Sequence, residues 1–368
     1  MALSQYLNTA PQVVEITIPT GATSATATIS AVSSLAAILW CGFTTDNTGA
    51  TGNSIFPRIE LTNSTTVTAY RNTSSATLTV TVRGVVLDPA GSLSATPFVS
   101  SVQHGTIDLS GVQTSNTATI TTVDLTRSTV IYQGYTMGGG GGNVNSSTCY
   151  LDLQDASTVR ARRASSGLVT MRVGFSVWEF DASVIQSVQE ILITLANANQ
   201  EDITTVSSVD PANTMLFFGG NNSAGGAIWS SCMHRAQLTA PTQVTTGRIG
   251  TGAGTRNIAL TLVELVPGII QKIQTGGTNI STSTPVDQSI ATINEQNTAA
   301  YLSGQYCALN TLGADNVFCT VKLQDDDTLR IQKTGTVNLS NAGWEVAQFT
   351  PPATAYIKGG NILGANIL

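Results

Sequence analysis

The tripeptide Ser101-Val-Gln103 returns as Ser187-Val-Gln189 and, altered, as Lys272-Ile-Gln274. A second landmark keeps a similar spacing. Leu151-Asp-Leu153-Gln-Asp is followed 85 residues on by Ala236-Gln-Leu238-Thr-Ala and 85 further by Val321-Lys-Leu323-Gln-Asp, while Ile59-Glu-Leu61-Thr-Asn precedes it by 92. A third closes each copy, at Gly84-Val85-Val86-Leu87, Trp178-Glu179-Phe180, Val263-Glu264-Leu265 and Trp344-Glu345-Val346. A period this long constrains the fold more than local propensity does, because each copy must be one self-similar unit packed on its neighbours.

The chain therefore divides into an N-terminal segment (1–12), four units at 13–90, 99–182, 184–267 and 268–351, and a tail at 352–368. The joins, among them Asp88-Pro89-Ala90-Gly91 and Val266-Pro267-Gly268, are turn-forming breaks too short to act as flexible linkers. Neighbouring units are expected to stack in a semi-rigid row.

Within a unit the hydrophobic period is two. Glu15-Ile-Thr-Ile18, Thr117-Ala-Thr-Ile120 and Val169-Thr-Met-Arg-Val173 alternate apolar with polar residues, and Gly, Asn and Ser punctuate the runs. This pattern predicts strands with one buried and one wet face. Residues 31–43 read locally as a helix, but the equivalent Arg127–Tyr135 stretch is β-branched and strand-like, so the repeat predicts a strand. Six to eight antiparallel strands in about 85 residues bury their apolar faces most economically as two facing sheets. The expected fold is all-β: four tandem antiparallel β-sandwich units, each marginal alone, with unit contacts or homo-oligomer formation adding stability.

Composition narrows the function. Only 10% of residues are charged, so Thr, Ser, Asn, Gln and Gly must hold much of the surface in water. The net charge of -6 and pI near 4.9 give no basic field for a nucleic-acid backbone, so no nucleic-acid partner is expected. No stretch approaches a membrane span, and the N-terminus lacks a signal-peptide pattern, which predicts cytoplasmic synthesis without membrane insertion. Five cysteines without CxxC spacing argue against a full intrachain disulfide framework and a thiolate zinc site. Cys307 and Cys319 are candidates to face each other across a hairpin, with free thiols or interchain bonds equally open.

No convergent catalytic set emerges, and no enzyme activity, metal or cofactor is expected. The two histidines, His104 and His234, sit where sister units carry unrelated residues; His234 aligns with Cys149 and Cys319. Asp325-Asp326-Asp327 has the oxygen ligands of a Ca²⁺ site but aligns with hairpin-turn residues such as Asn63-Ser-Thr65. Gly138–Gly142 lacks the Lys-Ser or Lys-Thr of a phosphate loop. Arg160, Arg162 and Arg163 form the one basic cluster, with Arg160 and Arg162 on one strand face. Their guanidinium forks suit the oxyanions of a glycan, and with Tyr135, one of several aromatics recurring on one strand, they are the candidate glycan-binding residues. A solvated strand face and a core position are the competing readings.

The order Val-Gln-x-Gly-Thr-Ile, Thr-Ala-Thr-Ile, Leu-x-Leu, Thr-Val-x-Ala-x-Arg and Val-Trp-Glu-Phe, clearest over 102–180, resembles the repeated β modules of tailed-bacteriophage virion proteins, and more distantly the H-type lectin sandwich. The resemblance covers nearly the whole chain. It implies a non-enzymatic virion component, such as a head decoration, a neck or collar part or a tail fibre, whose partners are copies of itself and other virion proteins. Candidate assembly contacts are Tyr6, Leu7 and the apolar tail residues Ile357, Ile362, Leu363, Ile367 and Leu368. The rival expectation is a receptor-binding adhesin that holds host surface polysaccharide.

Overall fold

A computed structural model describes residues 4–46, 55–75, 77–91, 93–138, 147–167, 169–195, 201–224, 233–248, 254–280, 284–307, 314–335 and 340–351. Each repeat supplies six strands. The first gives β1 (Gln12–Ile18), β2 (Ser24–Thr28), β3 (Ala37–Thr45), β4 (Arg58–Asn63), β5 (Thr66–Tyr70) and β6 (Val80–Leu87). The second gives β7 (Val99–Leu109), β8 (Ser115–Thr119), β9 (Ser128–Gly138), β10 (Cys149–Asp155), β11 (Thr158–Arg163) and β12 (Thr170–Phe180). The third gives β13 (Ile185–Leu195), β14 (Glu201–Thr205), β15 (Thr214–Ser223), β16 (Arg235–Ala240), β17 (Gln243–Gly247) and β18 (Arg256–Leu265). The fourth gives β19 (Ile270–Ile280), β20 (Val286–Ser289), β21 (Thr298–Cys307), β22 (Thr320–Leu323), β23 (Thr328–Gln332) and β24 (Ser340–Phe349). The period-two reading holds at the residue level: on β1, Val14, Ile16 and Ile18 are buried while Val13, Glu15 and Thr17 face out. The helix-like 31–43 stretch does form a strand, β3.

The strands assemble into four six-stranded antiparallel sheets in a four-bladed, propeller-like ring, with orders β1-β6-β3-β22-β23-β20, β2-β5-β4-β9-β12-β7, β13-β18-β15-β10-β11-β8 and β14-β17-β16-β21-β24-β19. Each sheet joins the first, sixth and third strands of one repeat to the fourth, fifth and second strands of the preceding repeat. Repeat four completes the sheet begun by repeat one, so the expected open row is instead a closed ring. The physical reason is edge satisfaction. In an isolated sandwich the third and fourth strands would each present unpaired N–H and C=O groups, and pairing third to fourth strands around the ring joins the eight such edges at four junctions.

Two of the three apolar clusters follow the same logic and cross repeat boundaries. One joins repeats one and two and takes in Met233 of repeat three and Val317 and Phe318 of repeat four; a second draws on all four repeats; a third belongs to repeat three. Small beads with separate cores are thus replaced by a shared interior.

The junctions where third meets fourth strand are near copies. They pair Gly42 with Thr320, Gly134 with Arg58, Gly220 with Tyr150, and Gly304 with Arg235. All four glycines adopt positive φ, between 81° and 102°. A Cβ there would stand 2.1 to 2.5 Å from the carbonyl oxygen of Cys319, Pro57, Cys149 or His234, so only glycine fits both the backbone and the space. The alignment of His234 with Cys149 and Cys319 is therefore structural.

Pairing also corrects one landmark. Glu179 lies opposite Ser128 and Glu264 opposite Thr214, but the residue opposite Thr298 is Gln348. Glu345 stands three residues earlier in register, opposite Tyr301, where repeats two and three place Ser176 and Thr261. The shared Trp-Glu dipeptide concealed this offset.

Candidate functional site

The third strands β3, β9, β15 and β21 line the centre of the ring. Two successive residues of each border one small cavity: Leu39 and Trp40, Ile131 and Tyr132, Phe217 and Phe218, Tyr301 and Leu302. Trp40 and Tyr132 meet edge to face at 6.1 Å, and Phe217 and Tyr301 stack at 5.9 Å. The space left among these eight side chains is only about 20 Å³. Aromatic and aliphatic packing leaves little open space between the four third strands.

Above this plug lies a larger apolar pocket of about 70 Å³, lined by side chains from all four repeats, including Phe43, Phe56, Tyr132, Tyr135, Phe218 and Phe318. Burial pushes the Tyr132 hydroxyl well above its ordinary value and raises the Cys149 thiol. A thiol so buried is a poor nucleophile. The pocket is chemically an apolar socket.

A second concavity, of about 640 Å³, runs across the β2-β5-β4-β9-β12-β7 sheet and is polar. Its floor holds Arg58, whose guanidinium lies 4.2 Å over the ring of Tyr70 and pairs with Glu60. Its far wall is the bidentate pair of Arg172 with Asp108, at 2.6 and 2.7 Å. That pairing lowers the Asp108 carboxyl. Asn72, Asn116, Gln113 and Thr170 complete the rim.

The residues singled out from sequence fall in different places. Arg163 is buried, and its guanidinium donates to the carbonyls of Gln113, Ser110, Gly111 and Val169. It is an internal clamp, which removes it from the surface cluster. Arg71 does the same for Ala22, Leu78 and Pro19, and Arg248 and Lys333 are buried at the equivalent positions. Arg160 is half-buried and paired with Asp152, leaving Arg162 as the exposed member. Tyr135 is buried, donates to the Ser147 carbonyl and stacks on Phe56 at 5.0 Å. These four side chains therefore do not form one surface.

Leu7 is buried in the chain's own core with Tyr6 packed against the same cluster, and Leu7 bridges to Pro89. The Ser4 N–H donates to Asn297 at 2.6 Å and its hydroxyl to the Thr350 carbonyl at 2.7 Å. The N-terminal segment thus fastens repeat one to repeat four, which corrects the reading of Tyr6 and Leu7 as contacts for another chain. The tail residues Ile357, Ile362, Leu363, Ile367 and Leu368 lie outside the described residues, as does Cys232.

Cys41, Cys149, Cys307 and Cys319 are buried, and the Cys319 Sγ donates to Gln305 at 2.8 Å. The His104 Nδ1 lies 2.7 Å from the Ser176 hydroxyl, which Gln133 also contacts at 2.7 Å. Desolvation holds His104 below its ordinary value, and Ser176 is fully buried. This chain of contacts gives no route for a substrate to the hydroxyl. Asp325, Asp326 and Asp327 form an exposed turn whose backbone carbonyls at 326 and 327 accept from Ile293 and Ile290.

The polar groove was not legible as a site in the sequence. Arg58 and Tyr70 lie twelve residues apart and meet only because β4 and β5 pair, and Asp108 and Arg172 are brought together by β7 and β12. No known protein family, curated protein or solved structure matches the chain.

Proposed function

We propose that this chain is a non-enzymatic structural protein of a tailed-bacteriophage virion, made in the host cytoplasm and assembled with copies of itself and with other virion proteins as a head decoration, a neck or collar part or a tail-fibre component. The observation that carries the reading is the strand-exchanged closure of the ring. A block in which every sheet belongs to two repeats cannot shed one unit without breaking two sheets, which suits a part that must keep its shape outside a cell. Its outward strand faces, such as those of Ser24–Thr28 and Ser115–Thr119, are uncharged rows of Ser and Thr. Its strongest polar groups, the buried clamps, serve the chain itself.

The test is fractionation of gradient-purified particles with an antibody to this chain. Co-migration with intact particles in a fixed copy number is expected; recovery only in the soluble lysate would contradict the assignment.

A second reading, an adhesin for host polysaccharide, is favoured by one observation: the open polar groove beside Tyr70.

A further inference from the structure

We propose that the groove across the β2-β5-β4-β9-β12-β7 sheet is a binding site for a neutral oligosaccharide, laid on Tyr70 and hydrogen-bonded by Asn72, Asp108, Asn116 and Arg172. The inference rests on the adhesin reading and gives that reading a place. Sugars present hydroxyls that both donate and accept, and C–H faces that pack on aromatic rings. They are therefore held by planar amide, carboxylate and guanidinium groups around an aromatic side chain. The groove brings together this set. Tyr70 is half-buried, Asn72, Asp108 and Arg172 are exposed, and the volume of about 640 Å³ lies within the usual range of ligand sites.

Charge decides between neutral and acidic sugars. The three guanidinium groups that line the groove are already engaged, Arg58 by Glu60, Arg172 by Asp108, and the buried Arg71 by the carbonyls of Ala22, Leu78 and Pro19. Among the residues described there, the groove therefore presents no exposed, unengaged cation to hold a carboxylate or sulfate, and the net charge of -6 adds none. The Arg58 side chain is only 9% exposed, yet its Nε has no hydrogen-bond partner among the described residues. A buried donor in that state marks a floor that is incomplete without another polar group.

The other repeats supply the contrast. At the positions of Arg58 and Tyr70 they carry Tyr150 and Arg162, Arg235 and Gly247, and Thr320 and Gln332. Tyr150 is buried, and Thr320 and Gln332 are engaged by Arg83. Gly247 offers no ring. Repeat one alone combines an accessible ring with an open groove at this position.

The test is saturation-transfer NMR and titration of the full chain with chitotriose and maltotriose as neutral probes and a sialylated trisaccharide as the acidic one. Binding of a neutral probe is expected, weakened about tenfold or more by Tyr70→Ala, a loss of about 1.4 kcal/mol. Asn72→Ala, at an exposed position, is expected to weaken it several-fold with an unchanged thermal midpoint, and Arg162→Ala to leave it intact. Binding of the acidic probe alone, or silence to all three, would overturn the proposal. Binding of purified host polysaccharide that survives Tyr70→Ala and Asn72→Ala but is lost in Arg162→Ala would overturn the groove while sustaining the adhesin reading.

Discussion

A Cβ on Gly42 would stand 2.1 Å from the carbonyl oxygen of Cys319, across the seam where repeat four meets repeat one. Gly42 also has a φ of +96°. Gly42→Ala therefore combines left-handed strain with a backbone clash, and a loss of about 2–4 kcal/mol is expected on urea unfolding. Gly21 provides the control. Its φ is +77° but nothing lies within 4 Å of its Cβ position, so Gly21→Ala should cost about 1 kcal/mol, the strain alone. Equal losses would show that the seam is not closely packed.

The buried clamp of Arg163 makes a second comparison. Arg163→Ala removes the guanidinium that the carbonyls of Ser110, Gly111, Gln113 and Val169 accept from; Ser110 and Gly111 keep backbone donors in Gln113 and Gly167, and a loss of about 2–4 kcal/mol is expected. Arg162→Ala, one residue away and exposed, should change stability by less than about 0.5 kcal/mol. Denaturant midpoints of the two variants measure the difference.

Glu345 predicts a pH dependence of definite sign. It is buried, accepts from the Tyr301 hydroxyl at 2.6 Å and the Leu216 N–H at 3.0 Å, and no ion pair reaches it among the described residues. Burial pushes its carboxyl up to about 7. Because the folded value lies above the unfolded one of about 4.3, the folded chain holds the proton longer. The contribution to stability is intact below about pH 4.3 and is lost as pH rises toward about 7, by on the order of 3 kcal/mol. Glu345→Gln keeps an acceptor oxygen, and its stability relative to the parent chain should rise between pH 4.5 and 7.5. A difference that stays flat over that window would show that Glu345 is ionised without cost.

Thiol chemistry should report the closed interior. Burial pushes Cys41 and Cys319 up to about 12 and raises Cys149. Cys41, Cys149, Cys307 and Cys319 are expected to resist iodoacetamide in the native chain and react in urea, as mass spectrometry of the digested protein would record. Native labelling of Cys319 would mean that the seam opens.

Much of the architecture was written in the sequence. The period of about 85 gave four copies, and alternation such as Val14, Ile16 and Ile18 gave strands and their buried faces. Closure was not legible, because the pairing of Thr320 with Gly42 depends on which edges are left open in three dimensions, and the repeat pattern is identical for a row and a ring. The glycines 42, 134, 220 and 304 carried the one available signal: they recur at matching positions in every repeat where sister residues vary. Arg163 read as part of a surface cluster because of its charge, although alternation places it on the face of the buried Val159 and Ala161, where it turns back over carbonyls. The groove escaped notice because Arg58, Tyr70, Asp108 and Arg172 are scattered over two repeats.

The most direct test of the ring is a double-mutant cycle across its closing seam. The Arg83 Nη1 donates to the Thr320 hydroxyl at 2.7 Å although the residues are 237 apart in the chain. Arg83→Ala, Thr320→Val and the pair should be compared by urea unfolding. The ring predicts a coupling of about 1–2 kcal/mol between the two sites, whereas additivity within about 0.3 kcal/mol would contradict closure and return the chain to an open row.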